Sequence, residues 1–221
     1  MEAVAIPHIT YPESDGQPMA ENTRQFRWIV FIKKNLDLLL QHDPNVFVAG
    51  DLLWYPVEGR PDIRRAPDAM VVFGRPKGDR GSYKQWEEDG IAPQVVFEIL
   101  SPGNTFIEYD KKRRFYGTYG VEEYYVYHPD DGMFQVWERK GHNLAFVEDV
   151  EGWVSPRLGI RFERDNNLEL HIYRPDGSKF EEFEDVAAER DRLRQEQNQM
   201  RQRQEQLEAK LRELGIDPAN V

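Results

Sequence analysis

The sequence contains no cysteine. Disulfides and thiolate metal sites are therefore excluded, and a reducing compartment is the natural setting. Histidine is sparse too: His8, His42, His128, His142 and His171 are scattered, and no two stand at the i, i+4 spacing of a zinc-binding helix. No segment approaches the roughly 20 apolar residues of a membrane span, and MEAVAIPHITYPESDG at the start has neither the basic region nor the apolar core of a signal peptide. A soluble, cytoplasmic protein without a membrane partner is the expectation. Positive charge is also short. The 40 acidic against 29 basic residues leave a formal charge of −11, which argues against a general nucleic-acid coat, because non-specific affinity comes from neutralised phosphates. Basic side chains are nevertheless concentrated locally, in Lys111-Lys112-Arg113-Arg114 and at Arg60, Arg64 and Arg65.

What is present suffices for one core. The 221 residues are 39% hydrophobic and 12% aromatic, and a Gln-, Arg- and Glu-rich stretch closes the sequence. One domain over residues 1–178 and a long helix over 179–221 are expected. An irregular arm to about Met19 precedes a helix from Glu21 to Gln41, where Phe26, Ile29, Val30, Ile32, Leu36, Leu39 and Leu40 recur near helical period and Asp43-Pro44 stops it. Val46–Tyr55 reads as a strand, and a second strand opens at Pro67-Asp68. Arg75–Ile91 reads as a surface loop with a short helix around Tyr83–Glu88. Later strands are expected at 133–138, 144–147, 160–162 and 168–173, as hairpin-like additions to the sheet. In the tail, Val186, Leu193, Met200, Leu207 and Leu214 repeat every seven residues, while the second core position is mostly polar (Arg190, Gln197, Gln204, Leu211). That pattern allows a weak coiled coil and a homodimer through this helix; a solvated single helix is the other reading.

The chain is organised around Gln94–Pro129, which reads as strand, turn, helix, strand. Val95–Leu100 is an apolar run of the kind that forms a central strand, yet Glu98 stands in its middle. A buried carboxylate requires a cation, hydrogen-bond donors or a metal. The next helix offers the cation: Lys112, Phe115, Tyr116 and Tyr119 fall at i, i+3, i+4 and i+7, so Lys112 shares the face of three aromatics. Thr105 and Glu108 form a capping box at its start, and Gly120 ends it. If the strands of Asp68 and Glu98 are neighbours, the two carboxylates can share a divalent cation; oxygen ligands favour magnesium, with manganese as the alternative. Such an ion lowers the pKa of a bound water and neutralises charge on a phosphoryl oxygen. A nearby ammonium orients that water and stabilises added negative charge.

PDAMVVF, FEILSPGNT and KKRRFYGTYGVEEYYVYHP, in this order, resemble the PD-(D/E)xK nuclease superfamily and, within it, the Uma-type restriction endonuclease family. The matching positions are Pro67-Asp68, Glu98-Ile99-Leu100-Ser101-Pro102, Lys112 with Tyr116, and Gly120-Val121-Glu122-Glu123-Tyr124, and the resemblance spans roughly Glu21–Tyr173. It implies an α/β (α+β) fold, a restriction-endonuclease-like mixed sheet flanked by helices, to which the tail adds a coiled-coil-like helix. It also implies a metal-dependent endonuclease acting on DNA, with Asp68 and Glu98 as metal ligands and Lys112 as the water-orienting cation. The superfamily's motif lysine, expected two residues after the acid, is Leu100 here, and Lys112 would be its migrated counterpart. Glu21 is carried as a fourth catalytic candidate, with Asp51 as its substitute. Two other readings stay open: a binding or scaffold protein in which Glu98 and Lys112 form a structural pair, and a hydrolase of RNA or nucleotides.

Overall fold

A computed structural model describes residues 9–213, and the side chains of all of these but 106, 183–189, 212 and 213. The chain divides into two compact units, Met1–Phe180 and Glu181–Val221. The first is built on a six-stranded mixed sheet of β1 (Val46–Ala49), β3 (Ala69–Phe73), β5 (Val95–Ile99), β6 (Glu123–His128), β7 (Met133–Lys140) and β8 (Asn143–Phe146), hydrogen-bonded in that order. Only β5 and β6 are parallel, and the connection between them contains α2 (Phe106–Tyr119). A parallel pair needs such a crossover, whereas the antiparallel β6/β7 and β7/β8 pairs close through short turns.

α1 (Thr23–Leu39) begins at Asn22, whose side chain accepts the Gln25 N–H. The helix thus starts after Glu21 rather than at it. Its buried stripe is Gln25, Trp28, Ile29, Ile32, Asn35 and Leu36, and Phe26 faces solvent. Two polar residues keep inward positions because each is bonded there: Gln25 Nε2 donates to the Ile99 carbonyl at 2.7 Å, and Asn35 Nδ2 to that of Phe31 at 2.9 Å.

Side chains alternate across the sheet and divide the core in two. Val71, Val95, Phe97, Ile99 and Tyr125 face α1; Met70, Val72, Val96, Tyr124 and Val126 face the side that holds Tyr116 of α2. α2 has the expected capping box between Thr105 and Glu108, and it ends at Gly120, whose φ of 107° suits a residue without a Cβ.

Two expectations are corrected. Val46–Tyr55 is not one strand: the backbone turns at Asp51, where φ is +49°, and Trp54–Tyr55 forms β2, paired in parallel with β4 (Tyr83–Lys84). The break places Trp54, fully buried, against Tyr116, with ring centroids 6.3 Å apart. β4 runs into a 3-10 helix at Gln85–Glu87, where the short helix of the Arg75–Ile91 loop is expected. The second correction concerns the late strands. β7 and β8 extend the sheet, but β9 (Arg161–Arg164) and β10 (Leu170–Tyr173) form a separate two-stranded ribbon, with single bridges to Val154 and Lys179. Phe162 stacks on Tyr125 at 4.9 Å, so this ribbon lies over the sheet's face rather than along its edge.

In the second unit α3 (Phe183–Glu213) is a 31-residue helix. Leu193, Met200 and Leu207 of the seven-residue repeat are 50%, 66% and 56% exposed, against the usual burial of such residues. Leu214 and the side chain of Val186, the ends of that repeat, lie outside the described residues, as does His8. No helix among the described residues is long and apolar enough to cross a membrane.

Candidate active site

The register of β3 on β5 sets Ala69 opposite Phe97 and Met70 opposite Val96, so one more step puts Asp68 opposite Glu98. Both acids stand two residues beyond members of the α2-facing core and share that face. Facing positions of an antiparallel pair have Cβ atoms about 5 Å apart. Asp68 Oδ2 accepts the backbone N–H of Ile99 at 2.6 Å, which locks the start of β3 to the end of β5.

Glu98 is 1% exposed, and each oxygen has a partner on α2. Lys112 Nζ donates to Oε2 at 2.5 Å, and the Tyr116 hydroxyl donates to Oε1. Lys112 and Tyr116 are one helical turn apart, which is why one carboxylate can receive both. The Lys112 side chain is 31% exposed, so its stem is covered while its ammonium reaches the cleft. Burial works against that ammonium, but Glu98 and then Asp68 outweigh it and hold its pKa above the ordinary lysine value. Asp68 moves the other way: burial first, and then the negative charge of Glu98, push its pKa well above the usual carboxylate range. Two acids and one ammonium thus form one largely buried charged group.

This group opens into a cleft of about 270 Å³ lined by Asp51, Asp68, Lys112, Arg64, Arg65 and Glu21, among others. The structure therefore brings all four sequence candidates to one place, Glu98 lying beneath the wall. Glu21 occupies the far side. Its carboxylate accepts the Ser101 hydroxyl, and its N–H donates to Gln25 Oε1 at 2.8 Å. It packs so close to Gly103 that a Cβ there would oblige the carboxylate to move. Asp51 adopts a left-handed backbone, and its N–H donates to the Pro67 carbonyl at 3.0 Å, which sets it beside Asp68. Its pKa is raised, by burial first and then by Asp15 of the N-terminal arm.

Sequence reasoning missed three contributors. Tyr116 has the pattern of a packing residue, yet its i+4 spacing from Lys112 brings its hydroxyl to the same acid. Arg64 and Arg65 were noted only as local charge; their guanidinium groups donate to the carbonyls of Pro61 and Arg64, and neither pairs with a carboxylate among the described residues. Arg65 also lies over the Phe115 ring at 5.4 Å. Conversely, Arg113 and Arg114 share one acid, Asp110, so part of the basic charge on α2 is already engaged.

The donors around Asp68 fit a hard divalent ion. They are carboxylate oxygens with an excess of negative charge in a buried setting, and the cleft leaves room for water or substrate. Among the described residues no three His, Cys, Asp or Glu side chains are grouped to ligate a metal unaided. Magnesium commonly sits on one or two carboxylates and completes its shell with waters and phosphate oxygens.

Residues 12–169 match the family model described as "Uma2: Putative restriction endonuclease". No curated protein matches the chain. Among solved structures, one described as a putative nuclease belonging to DUF820 from Anabaena variabilis is similar at 14% identity. It covers 65% of this chain and 79% of its own, with a TM-score of 0.45, a likeness too slight to argue from.

The raised pKa of Asp68 has a consequence for stability. Below about pH 3.8 Asp68 is protonated in both the folded and the unfolded chain and costs nothing. As the pH rises through the higher folded value, the unfolded chain releases its proton first, and that part of the stability is lost. Asp68→Asn, which keeps an oxygen for the Ile99 N–H, should therefore raise the melting temperature at neutral pH in the presence of a chelator. The gain should shrink towards zero as the pH falls below 3.8. A difference that does not vary with pH would contradict the assignment.

Proposed function

The chain belongs to the family described as Uma2, putative restriction endonuclease, and on that footing we propose that it is a metal-dependent endonuclease hydrolysing phosphodiester bonds in DNA. The observation that carries the reading is the register of Asp68 against Glu98 with Lys112 reaching them from α2. Asp68 and Glu98 would hold magnesium, or manganese in its place. When bound, the ion would supply Lewis acidity to the phosphoryl oxygen and lower the pKa of an attacking water.

The chain's own residues account for the rest. Tyr116, through its hydroxyl, fixes Glu98 Oε1, so that the carboxylate cannot swing away from the cleft. The Lys112 ammonium, bonded to Glu98 Oε2, would face the negative charge that grows on the phosphoryl group, and being held in place it would cost no reorganisation. Arg64 and Arg65, without acidic partners, supply positive charge to phosphates entering the cleft. Gln25 and the Asp68 bond to Ile99 hold the end of β5 in place. Glu21 and Asp51 are the remaining acids of the cleft, and of the two Asp51 stands nearer Asp68 along the backbone.

A second reading draws on a specific observation: both oxygens of Glu98 are already satisfied by Lys112 and Tyr116, as in a structural pair. A plasmid or oligonucleotide cleavage assay separates the two. The enzyme reading expects cutting with magnesium or manganese, none with chelator, and a loss of about a hundred- to thousandfold in Asp68→Ala, by analogy with removal of other transition-state electrostatic groups. Isothermal calorimetry should show metal binding that Asp68→Ala removes. A wild type with neither cutting nor binding would favour the structural pair.

Self-association through α3 is part of the same proposal. Exposed Leu193, Met200 and Leu207 at seven-residue spacing offer a seam, and polar second-core positions keep it weak. Sedimentation should show a dimer at high micromolar concentration that Leu193→Asp with Leu207→Asp converts to monomer; identical profiles for both proteins would rule the seam out.

A further inference from the structure

A second hollow, of about 500 Å³, opens on the same face of the sheet as the cleft, between the first half of α2 and the strands β7 and β8. We propose that it is a base-binding subsite, which takes one unpaired nucleobase of the strand whose phosphodiester lies in the cleft. The substrate would then be single-stranded or locally opened at that nucleotide. The inference rests on the nuclease reading above and specifies its substrate.

Position is the first argument. Asn104, in the turn that leads into α2, lines both the cleft and the hollow. α2 stands between them: Lys112 and Tyr116 turn towards Glu98, while Tyr109 and Arg113 line the hollow. A strand laid across the start of this helix meets both.

Chemistry is the second. The walls are aromatic, with Trp137 5.4 Å from Tyr109 and 5.4 Å from Phe146, centroid to centroid. Phe146 is 52% exposed at the end of β8, an outermost strand of the sheet, so it leaves a ring face for a ligand. The polar groups of the hollow are partly engaged already: Arg113 lies on Asp110 at 2.6 Å, an acid it shares with Arg114, and the buried His128 Nδ1, which has no hydrogen-bond partner among the described residues, stands 3.3 Å from Asp131. These aromatic walls suit a neutral, flat group better than a phosphate. At the floor Gln135 accepts the Tyr109 hydroxyl through Oε1 at 2.6 Å, which orients its amide N–H groups as donors for a base edge. The volume lies within the range of small-ligand sites and accepts a base with its sugar. Stacking on aromatic rings tolerates any base, so the hollow would select unpaired structure rather than sequence.

The experiment uses the full chain in chelator and oligonucleotides carrying 2-aminopurine, either single-stranded, at an unpaired position of a duplex, or fully paired. Wild type should quench the fluorophore in the first two and bind the paired duplex more weakly. Phe146→Ala should lower affinity for the unpaired substrates about tenfold and leave the paired duplex unaffected. Ile107→Ala, an exposed apolar residue of α2 outside the hollow, should change nothing. Equal affinity of wild type and Phe146→Ala for every substrate would overturn the subsite. So would cleavage of fully paired DNA, with magnesium restored, at the rate of the unpaired substrates. A wild type that quenches the unpaired base yet cuts nothing with magnesium would instead overturn the nuclease reading and leave the subsite standing.

Discussion

A carboxylate in the middle of a central strand is the constraint on which the rest depends. Glu98 is nearly inaccessible to solvent, and an ionised acid there is tolerable only if donors reach it. Lys112 and Tyr116 do so from one face of α2, and this fixes the rotation of the helix over the sheet. Trp54 stacks against Tyr116, which explains why the chain breaks after β1 and turns inward. The fold beneath the cleft is thus arranged around one charge. Asp68, opposite Glu98, adds a second, and burial with the charge of Glu98 raises its pKa despite the nearby Lys112, at a cost to the folded state. Such a cost makes sense where a cation or a substrate is to be bound, because groups matched to a ligand are mismatched without it.

The electrostatics are local rather than global. A chain of net charge −11 does not attract nucleic acid as a whole. Arg64 and Arg65 at the cleft carry no acidic partner, whereas Arg113 and Arg114 on the outer side of α2 are both spent on Asp110. Arg64 and Arg65 therefore bring basic charge without an acidic partner to the cleft itself. Few uncompensated cations make for a weak and salt-sensitive encounter, which places more of the recognition on contacts such as stacking.

Much of this was legible in the residues. Glu98 inside an apolar run, Lys112 and Tyr116 at helical spacing, and Thr105 with Glu108 at a helix start each follow from one local rule, and the structure places each as that rule requires. Where local rules failed, tertiary contacts decided. Val46–Tyr55 has the composition of a continuous strand, and only the burial of Trp54 under α2 accounts for the turn at Asp51. β9 and β10 look like further strands of the sheet, but aromatic stacking of Phe162 on Tyr125 puts them on its face. Glu21 was counted as a helix residue, whereas Asn22 caps the helix and leaves Glu21 free to meet Ser101. Pairing of Asp68 with Glu98 was conditional on strand order, which no single-strand pattern encodes.

Lys112 decides whether the buried pair is also a catalytic site. Cleavage rates and unfolding free energies of wild type, Lys112→Ala and Lys111→Ala, measured side by side, test this directly. Lys111 is the control because one step along the helix turns it away from the acids, and it makes no ion pair among the described residues. The account predicts that Lys112→Ala destabilises by about 3 kcal/mol, the lower end for a broken buried pair, since the lysine is a third exposed. Under conditions where the variant remains folded, cleavage should still fall about a hundred- to thousandfold, with metal affinity near that of wild type and Lys111→Ala unchanged. A loss of cleavage that merely follows the unfolded fraction, or a Lys111→Ala variant that fails while Lys112→Ala cuts, would contradict it.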